Sequence, residues 1–143
     1  MTNKYEDAEK IGRDLTLKIF GDKIQLTELS QKSRADFSGS TINGDFILEA
    51  KYRNFSSTDY NDDIFEVSKC EGMKNISQGK MNMFYLMIFN DGVARLHHIN
   101  RLKLIDLNFG IKDCLISSMH PELGTESKMI IYLPKDKAKK YTY

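Results

Sequence analysis

Asn43-Gly44-Asp45-Phe46-Ile47-Leu48-Glu49-Ala50-Lys51-Tyr52 is the stretch on which the fold turns. Asn-Gly is a strong type I′ hairpin signal, and the run from Gly44 to Tyr52 reads as a buried strand. Successive side chains of a strand point to opposite faces, so Phe46, Leu48 and Ala50 share one face while Glu49 and Lys51 share the other. The strand ahead of the turn begins at Arg34-Ala35-Asp36-Phe37. Antiparallel pairing of the two strands brings Asp36 back beside Glu49. Two convergent carboxylates offer hard oxygen ligands suited to Mg²⁺ (or Mn²⁺), and a lysine beside them can orient or help deprotonate an attacking water. Taken singly, Asp36 reads as a turn or edge-strand aspartate. Glu49 and Lys51 alone read as the wet face of a strand, with a cross-strand ion pair worth well under ~1 kcal/mol. In this order, the three together read as a site.

Upstream, residues from about Asn3 to Phe20 read as a helix, because Ala8, Ile11, Leu15 and Ile19 recur at helical spacing. Gly21 stops it. Glu6, Glu9 and Asp14 are its available acids, and as exposed helix acids each is worth a few tenths of a kcal/mol near the N-terminus. Lys23 to Leu29 alternates like a strand, Gln31 to Ser33 is a turn, and Arg34 to Phe37 opens a second strand that loosens at Ser38-Gly39-Ser40. Downstream come Tyr52-Arg53-Asn54-Phe55 and a polar loop, Ser56 to Asp62. A helix is then expected from Asp63 to about Gln78, with Gly72 costing ~1 kcal/mol relative to alanine and marking a break.

Met83 to Phe89 is the most apolar run, and Asn90-Asp91-Gly92 folds it back onto Val93 to His98 as a second hairpin. Arg95 on that strand adds positive potential. His97 and His98 are adjacent and point to opposite faces, and His120 is remote, so neither a zinc site nor a histidine-based nuclease is expected. Asn100 to Leu107 reads as a short helix, Phe109 to Met119 is ambiguous, and His120-Pro121 with Gly124 makes a loop. Lys128 to Leu133 is a last strand ended by Pro134. The basic tail 135–143 carries two tyrosines; it reads as a poorly ordered terminus or as a segment lying along a nucleic-acid backbone.

At 143 residues the expectation is a single domain, 1–143, able to bury a proper core. A net charge of +1 does not by itself announce a nucleic-acid binder. Cys70 and Cys114 match no zinc or CxxC spacing and fit a reducing cytosol. No secretory signal is visible and no apolar run approaches the ~20 residues of a membrane span. A cytoplasmic location and no membrane partner are therefore expected.

Asp36 with Glu49-Ala50-Lys51 resembles the D…(D/E)xK signature of the PD-(D/E)xK nuclease superfamily. The spacing is similar to that of archaeal Holliday-junction resolvases. Most of the chain also resembles small phage-type nuclease-like proteins through Arg34-Ala35-Asp36, Glu49-Ala50-Lys51-Tyr52-Arg53-Asn54, Tyr60, Phe65-Glu66-Val67-Ser68-Lys69 and Leu133-Pro134. Ala35 stands where the signature has proline.

The resemblance implies an α/β fold of restriction-endonuclease type, a central mixed sheet with helices on both faces. It implies a metal-dependent DNA endonuclease in which Asp36, Glu49 and the Ala50 carbonyl hold Mg²⁺ or Mn²⁺ and Lys51 positions a water. Glu9 is then an accessory acid from the first helix, and Lys69 or Gln78 faces the site from the second. Arg53 and Arg34 are candidates for DNA contact. A junction-resolving enzyme would act as a homodimer. The alternative is a catalytically inactive nuclease-fold module that binds nucleic acid or a protein.

Overall fold

The computed structural model describes residues 4–30, 33–115 and 121–143. The expectations placed on Asn3, Gln31, His120 and the end of the 109–119 run lie outside them. Helix α1 (Lys4–Phe20) leads into a short strand β1 (Thr27–Glu28), then β2 (Phe37–Thr41) and β3 (Gly44–Arg53). Strand β4 (Asp62–Glu66) and helix α2 (Val67–Ser77) lead to β5 (Asn82–Phe89) and β6 (Val93–His98). Two short 3-10 turns, Ile99–Arg101 and Leu104–Asp106, stand where a single short helix was expected. The chain closes with β7 (Asn108–Leu115), β8 (Thr125–Pro134) and β9 (Lys139–Thr142).

The main sheet has six strands in the order β1-β2-β3-β5-β6-β9, and a second sheet has three, β4-β8-β7. Neighbours in the main sheet run antiparallel except β3 and β5, which are parallel. Parallel strands cannot be joined by a tight turn; here β4 and α2 make the crossover. Strand alternation splits the core in two. Phe46 and Leu48 pack with Phe37, Leu86, Ile88 and Phe20 of α1 on one face. On the other face Ile47 packs with Met83, Tyr85, Met87, α2 residues Cys70 and Met73, and Phe65, Ile131 and Leu133 of the smaller sheet. The architecture is thus α/β with a mixed sheet and one helix on each face, and the second face also carries a small sheet.

Several local expectations are corrected by packing. The buried line of α1 is Gly12, Thr16 and Phe20, one position round from the expected stripe, and Ile11 is exposed. Strand β2 continues through Ser38-Gly39-Ser40 instead of loosening there. Gly39 is required at that point, because a Cβ would stand 2.6 Å from the Phe46 ring that lies across it. The β2–β3 hairpin holds, but Thr41 pairs with Gly44, so Ile42 and Asn43 form the turn. Neither has positive φ, which excludes type I′; the positive φ, 111°, belongs to Gly44.

Asp63 to Glu66 is strand, not the start of a helix, with Asp63 and Phe65 facing inward. Helix α2 then runs unbroken through Gly72, whose missing Cβ lets Arg34 lie against it, with Cδ 3.1 Å from the position a Cβ would take. The basic tail is ordered. Strand β9 extends the main sheet, with Lys140 opposite Arg95, and Tyr141 meets Phe20 edge-on at 5.0 Å. Among the described residues no helix is long and apolar enough to cross a membrane.

Candidate functional site

Strand β3 is central, with β2 on one side and β5 on the other. Its Phe46 and Leu48 are drawn into the α1-side core, which turns Glu49 and Lys51 toward the α2 side. The β2–β3 register pairs Phe37 with Leu48, and carried one residue back it sets Asp36 across from Glu49. Backbone bonds hold Asp36 there. Its amide donates to the Leu48 carbonyl at 3.0 Å, and its own carbonyl accepts the Leu29 amide at 2.8 Å. Its Oδ2 accepts the Ala50 amide at 2.8 Å, and its Oδ1 accepts Arg13 Nη2 at 3.0 Å. The Arg13 guanidinium also donates to the Leu29 carbonyl at 3.0 Å.

Asp36 and Glu49 are both about nine-tenths buried, each 8% exposed. Burial, and then the charge of Asp36, push the Glu49 carboxyl up to about 7, against the opposing pull of Lys69 and Lys51. Lys69, in the first turn of α2, reaches Glu49 Oε1 at 3.4 Å, and that carboxylate raises its pKa. Lys51 is shifted down, first by burial and then by the cations Arg53 and Lys69. Two buried carboxylates thus lie close together, Asp36 paired with Arg13 and Glu49 with Lys69, with the Lys51 ammonium, its proton affinity weakened, on the same face.

The Asp36, Glu49, Lys51 and Lys69 side chains therefore come together. Arg53 continues the same face of β3 toward the Tyr85 hydroxyl, and its buried Nε has no hydrogen-bond partner. Other expected members lie elsewhere. Glu9 and Asp14 are exposed, and the α1 residue that reaches Asp36 is Arg13, a cation where an acid was expected. Gln78 is the left-handed C-cap of α2, its amide bonded to the Lys74 carbonyl. That puts it about 13 Å along the helix from Lys69, at 1.5 Å per residue. Arg34 is exposed but lies along α2. Arg95, expected to supply free positive potential, is instead buried in an ion pair.

That pair belongs to a second charged cluster which sequence reasoning missed. Asp63 Oδ2 accepts Arg95 Nε at 2.8 Å and Oδ1 accepts Nη2 at 2.6 Å, while His97 Nε2 lies 2.6 Å from Oδ2. Burial alone would raise the Asp63 pKa, but hydrogen bonds from Arg95 and His97 outweigh it and lower it. A signal existed: Arg95 and His97 are two apart on a strand, so they share a face, and a buried cation needs an acid. Asp63 itself reads in sequence as the first residue of a helix. Arg13 has no comparable signal, since it lies off the apolar stripe.

The chain matches no protein-family model, no curated protein and no solved structure. Among the described residues no three His, Cys, Asp or Glu side chains converge as a metal cluster. The oxygen donors that meet here are the Asp36 and Glu49 carboxylates. This donor set fits Mg²⁺ or Mn²⁺, which prefer oxygen; Mg²⁺ is commonly held by one or two carboxylates while keeping several waters. The lone pairs of Asp36 are not exhausted by its two bonds, because an ionised carboxylate offers about four acceptor sites.

Proposed function

We propose that the protein is a metal-dependent DNA endonuclease of restriction-endonuclease-like fold, with Asp36, Glu49 and Lys51 at its centre. The observation that carries this reading is the meeting of Asp36 and Glu49 across β2 and β3, with Lys51 on the same face. The order of elements supports the fold: a helix, an antiparallel β1-β2-β3 meander, a crossover through α2, and β5 parallel to β3.

In this reading Asp36, Glu49 and the Ala50 carbonyl hold Mg²⁺ or Mn²⁺. When bound, the cation offsets charge developing on the phosphoryl and leaving oxygens. Lys51, desolvated and flanked by cations, positions the water for in-line attack and eases loss of its proton. Lys69 tethers Glu49 and meets a phosphate oxygen. Arg53 grips a neighbouring phosphate, where its planar fork suits bidentate contact. Arg13 is a positioning residue that fixes the Asp36 carboxylate.

A second reading, a non-catalytic DNA-binding module of the same fold, is favoured by one observation. Arg13 and the Ala50 amide already occupy both oxygens of Asp36. Nicking of supercoiled plasmid separates the two. The nuclease reading expects nicking that requires Mg²⁺ or Mn²⁺ and disappears in Glu49→Ala and Lys51→Ala. DNA binding without nicking in either metal would establish the module instead. A homodimer, expected if the substrate is a junction, would show by light scattering as twice the monomer mass.

A further inference from the structure

A cavity of about 400 Å³ opens between Arg53 at the end of β3, the 56–61 loop and the smaller sheet, over the Asp63–Arg95 pair. Its size falls in the range of small-ligand sites. Arg53 lies two residues beyond Lys51 on the same strand face, about 7 Å along the chain. Tyr60 stands at the rim, 58% exposed, and Phe89 and Tyr132 also line the cavity.

The Tyr60 ring is presented on a braced loop. Asp91 Oδ2 accepts the Ser57 hydroxyl at 2.6 Å, the Ser57 amide at 2.9 Å and the Ser56 hydroxyl at 3.0 Å. The Ser57 carbonyl in turn accepts Lys135 Nζ at 2.8 Å and Arg95 at 3.2 Å. Phe55 meets the Tyr60 ring edge-on at 4.9 Å, and Lys112 Nζ lies 5.8 Å from its centroid. A preorganised aromatic face flanked by cations, one of them Arg53 with its partnerless Nε, combines stacking with phosphate recognition. Of the two acids that line the cavity, Asp63 is paired with Arg95 and His97, and Asp62 is the one that, among the described residues, does not face a cation.

We propose that this cavity holds one unpaired nucleotide of the DNA strand being cut, its base on Tyr60 and its phosphate on Arg53. A base seated in a cavity of this size with its face on Tyr60 has left its pairing partner, so the substrate class becomes DNA with unpaired nucleotides, such as flaps, branches or single strands. The identity of the strand rests on the nuclease reading; the nucleotide site does not.

Methionine-methyl NMR of the full chain tests it, because Met87 lines this cavity whereas Met83 lines a separate apolar one. With Ca²⁺ replacing Mg²⁺, the chain is titrated with a short oligothymidylate, a blunt duplex and thymidine 5′-monophosphate. The expected result is a saturable shift of Met87 but not Met83 with oligothymidylate, about tenfold weaker in Tyr60→Ala and Arg53→Ala, and none with the duplex. Tyr60→Phe keeps the affinity. A Met87 signal unmoved by oligothymidylate overturns the proposal, as does one moved only by the monophosphate. Plasmid nicking with Met87 unmoved removes the pocket and leaves the nuclease. A Met87 shift without nicking keeps the pocket and removes the nuclease.

Discussion

Two charged clusters occupy one face of one sheet, and they are built on opposite principles. The β3–β5–β6 register sets Glu49, Tyr85 and His97 in one row and Lys51, Met87 and Arg95 in the next. Tyr85, stacked on Phe65 at 4.2 Å, stands between them. On the β6 side, one acid faces Arg95 and His97, its hydrogen bonds are short, and its pKa falls. On the β3 side, two acids face each other, the ion pair from Lys69 is long at 3.4 Å, and the Glu49 pKa rises to about 7. Burial pushes both carboxyls up; at Glu49 it prevails with help from Asp36, and at Asp63 the hydrogen bonds from Arg95 and His97 overcome it. A cluster that satisfies itself supports the fold.

The sharpest way to break this contrast is to remove Asp63. Asp63→Ala leaves Arg95 and His97 buried without their acid and is expected to cost about 3–5 kcal/mol, read as a large fall in melting temperature. A melting temperature within error of the wild type would refute the structural role.

Glu49→Gln should do the reverse, keeping the fold while lowering nicking at least about a hundredfold. Equal losses of stability and activity in this variant would erase the distinction between the clusters.

The pH dependence sharpens it further. Glu49 has a folded pKa raised above its unfolded value, so the stability it lends is full below about 4.5 and is lost as pH rises through about 7. Metal-free protein should lose about 1–3 kcal/mol across that interval through this group. Mg²⁺ should restore it at the upper end, and Glu49→Gln should flatten the profile. A melting temperature indifferent to Mg²⁺ at alkaline pH would count against the cation site.

The smallest effect concerns Asp91. Its pKa is held down to about 2: slight desolvation acts upward, but the hydrogen bonds from Ser57 and Ser56 prevail. The stability it adds is present above its unfolded pKa and lost as pH falls toward about 2. Because the group is exposed, Asp91→Ala should cost only about 1 kcal/mol, with faster amide exchange confined to the 56–61 loop.

Much of the site was legible because it depends on strand alternation. Once Gly44 to Tyr52 is a strand, Glu49 and Lys51 must share a face, and hairpin pairing with the Asp36 segment leaves little freedom in where that carboxylate lands. The helix facing β3 and the hairpin around Asn90-Asp91-Gly92 were readable for the same reason. Arg13 was not, since nothing in a helix's own spacing says which polar residue will reach across to another element. Asp63 misled because Ile64 and Val67, three apart, read as the apolar spacing of a helix, whereas β8 pairing makes that segment a strand. The tail misled through composition: four lysines suggest solvation, yet Tyr141 packs on Phe20 and the backbone pairs with β6.

Local periodicity alone determined which side chains of a strand share a face and that Asp36, Glu49 and Lys51 can meet. These follow from backbone geometry and need no distant partner. Tertiary structure decided which face lies under α2, that Arg13 and Lys69 reach the two carboxylates, and that Arg95 is spent on Asp63. Each of those depends on desolvation and pairing between residues far apart in the chain, energies that no stretch of sequence contains by itself.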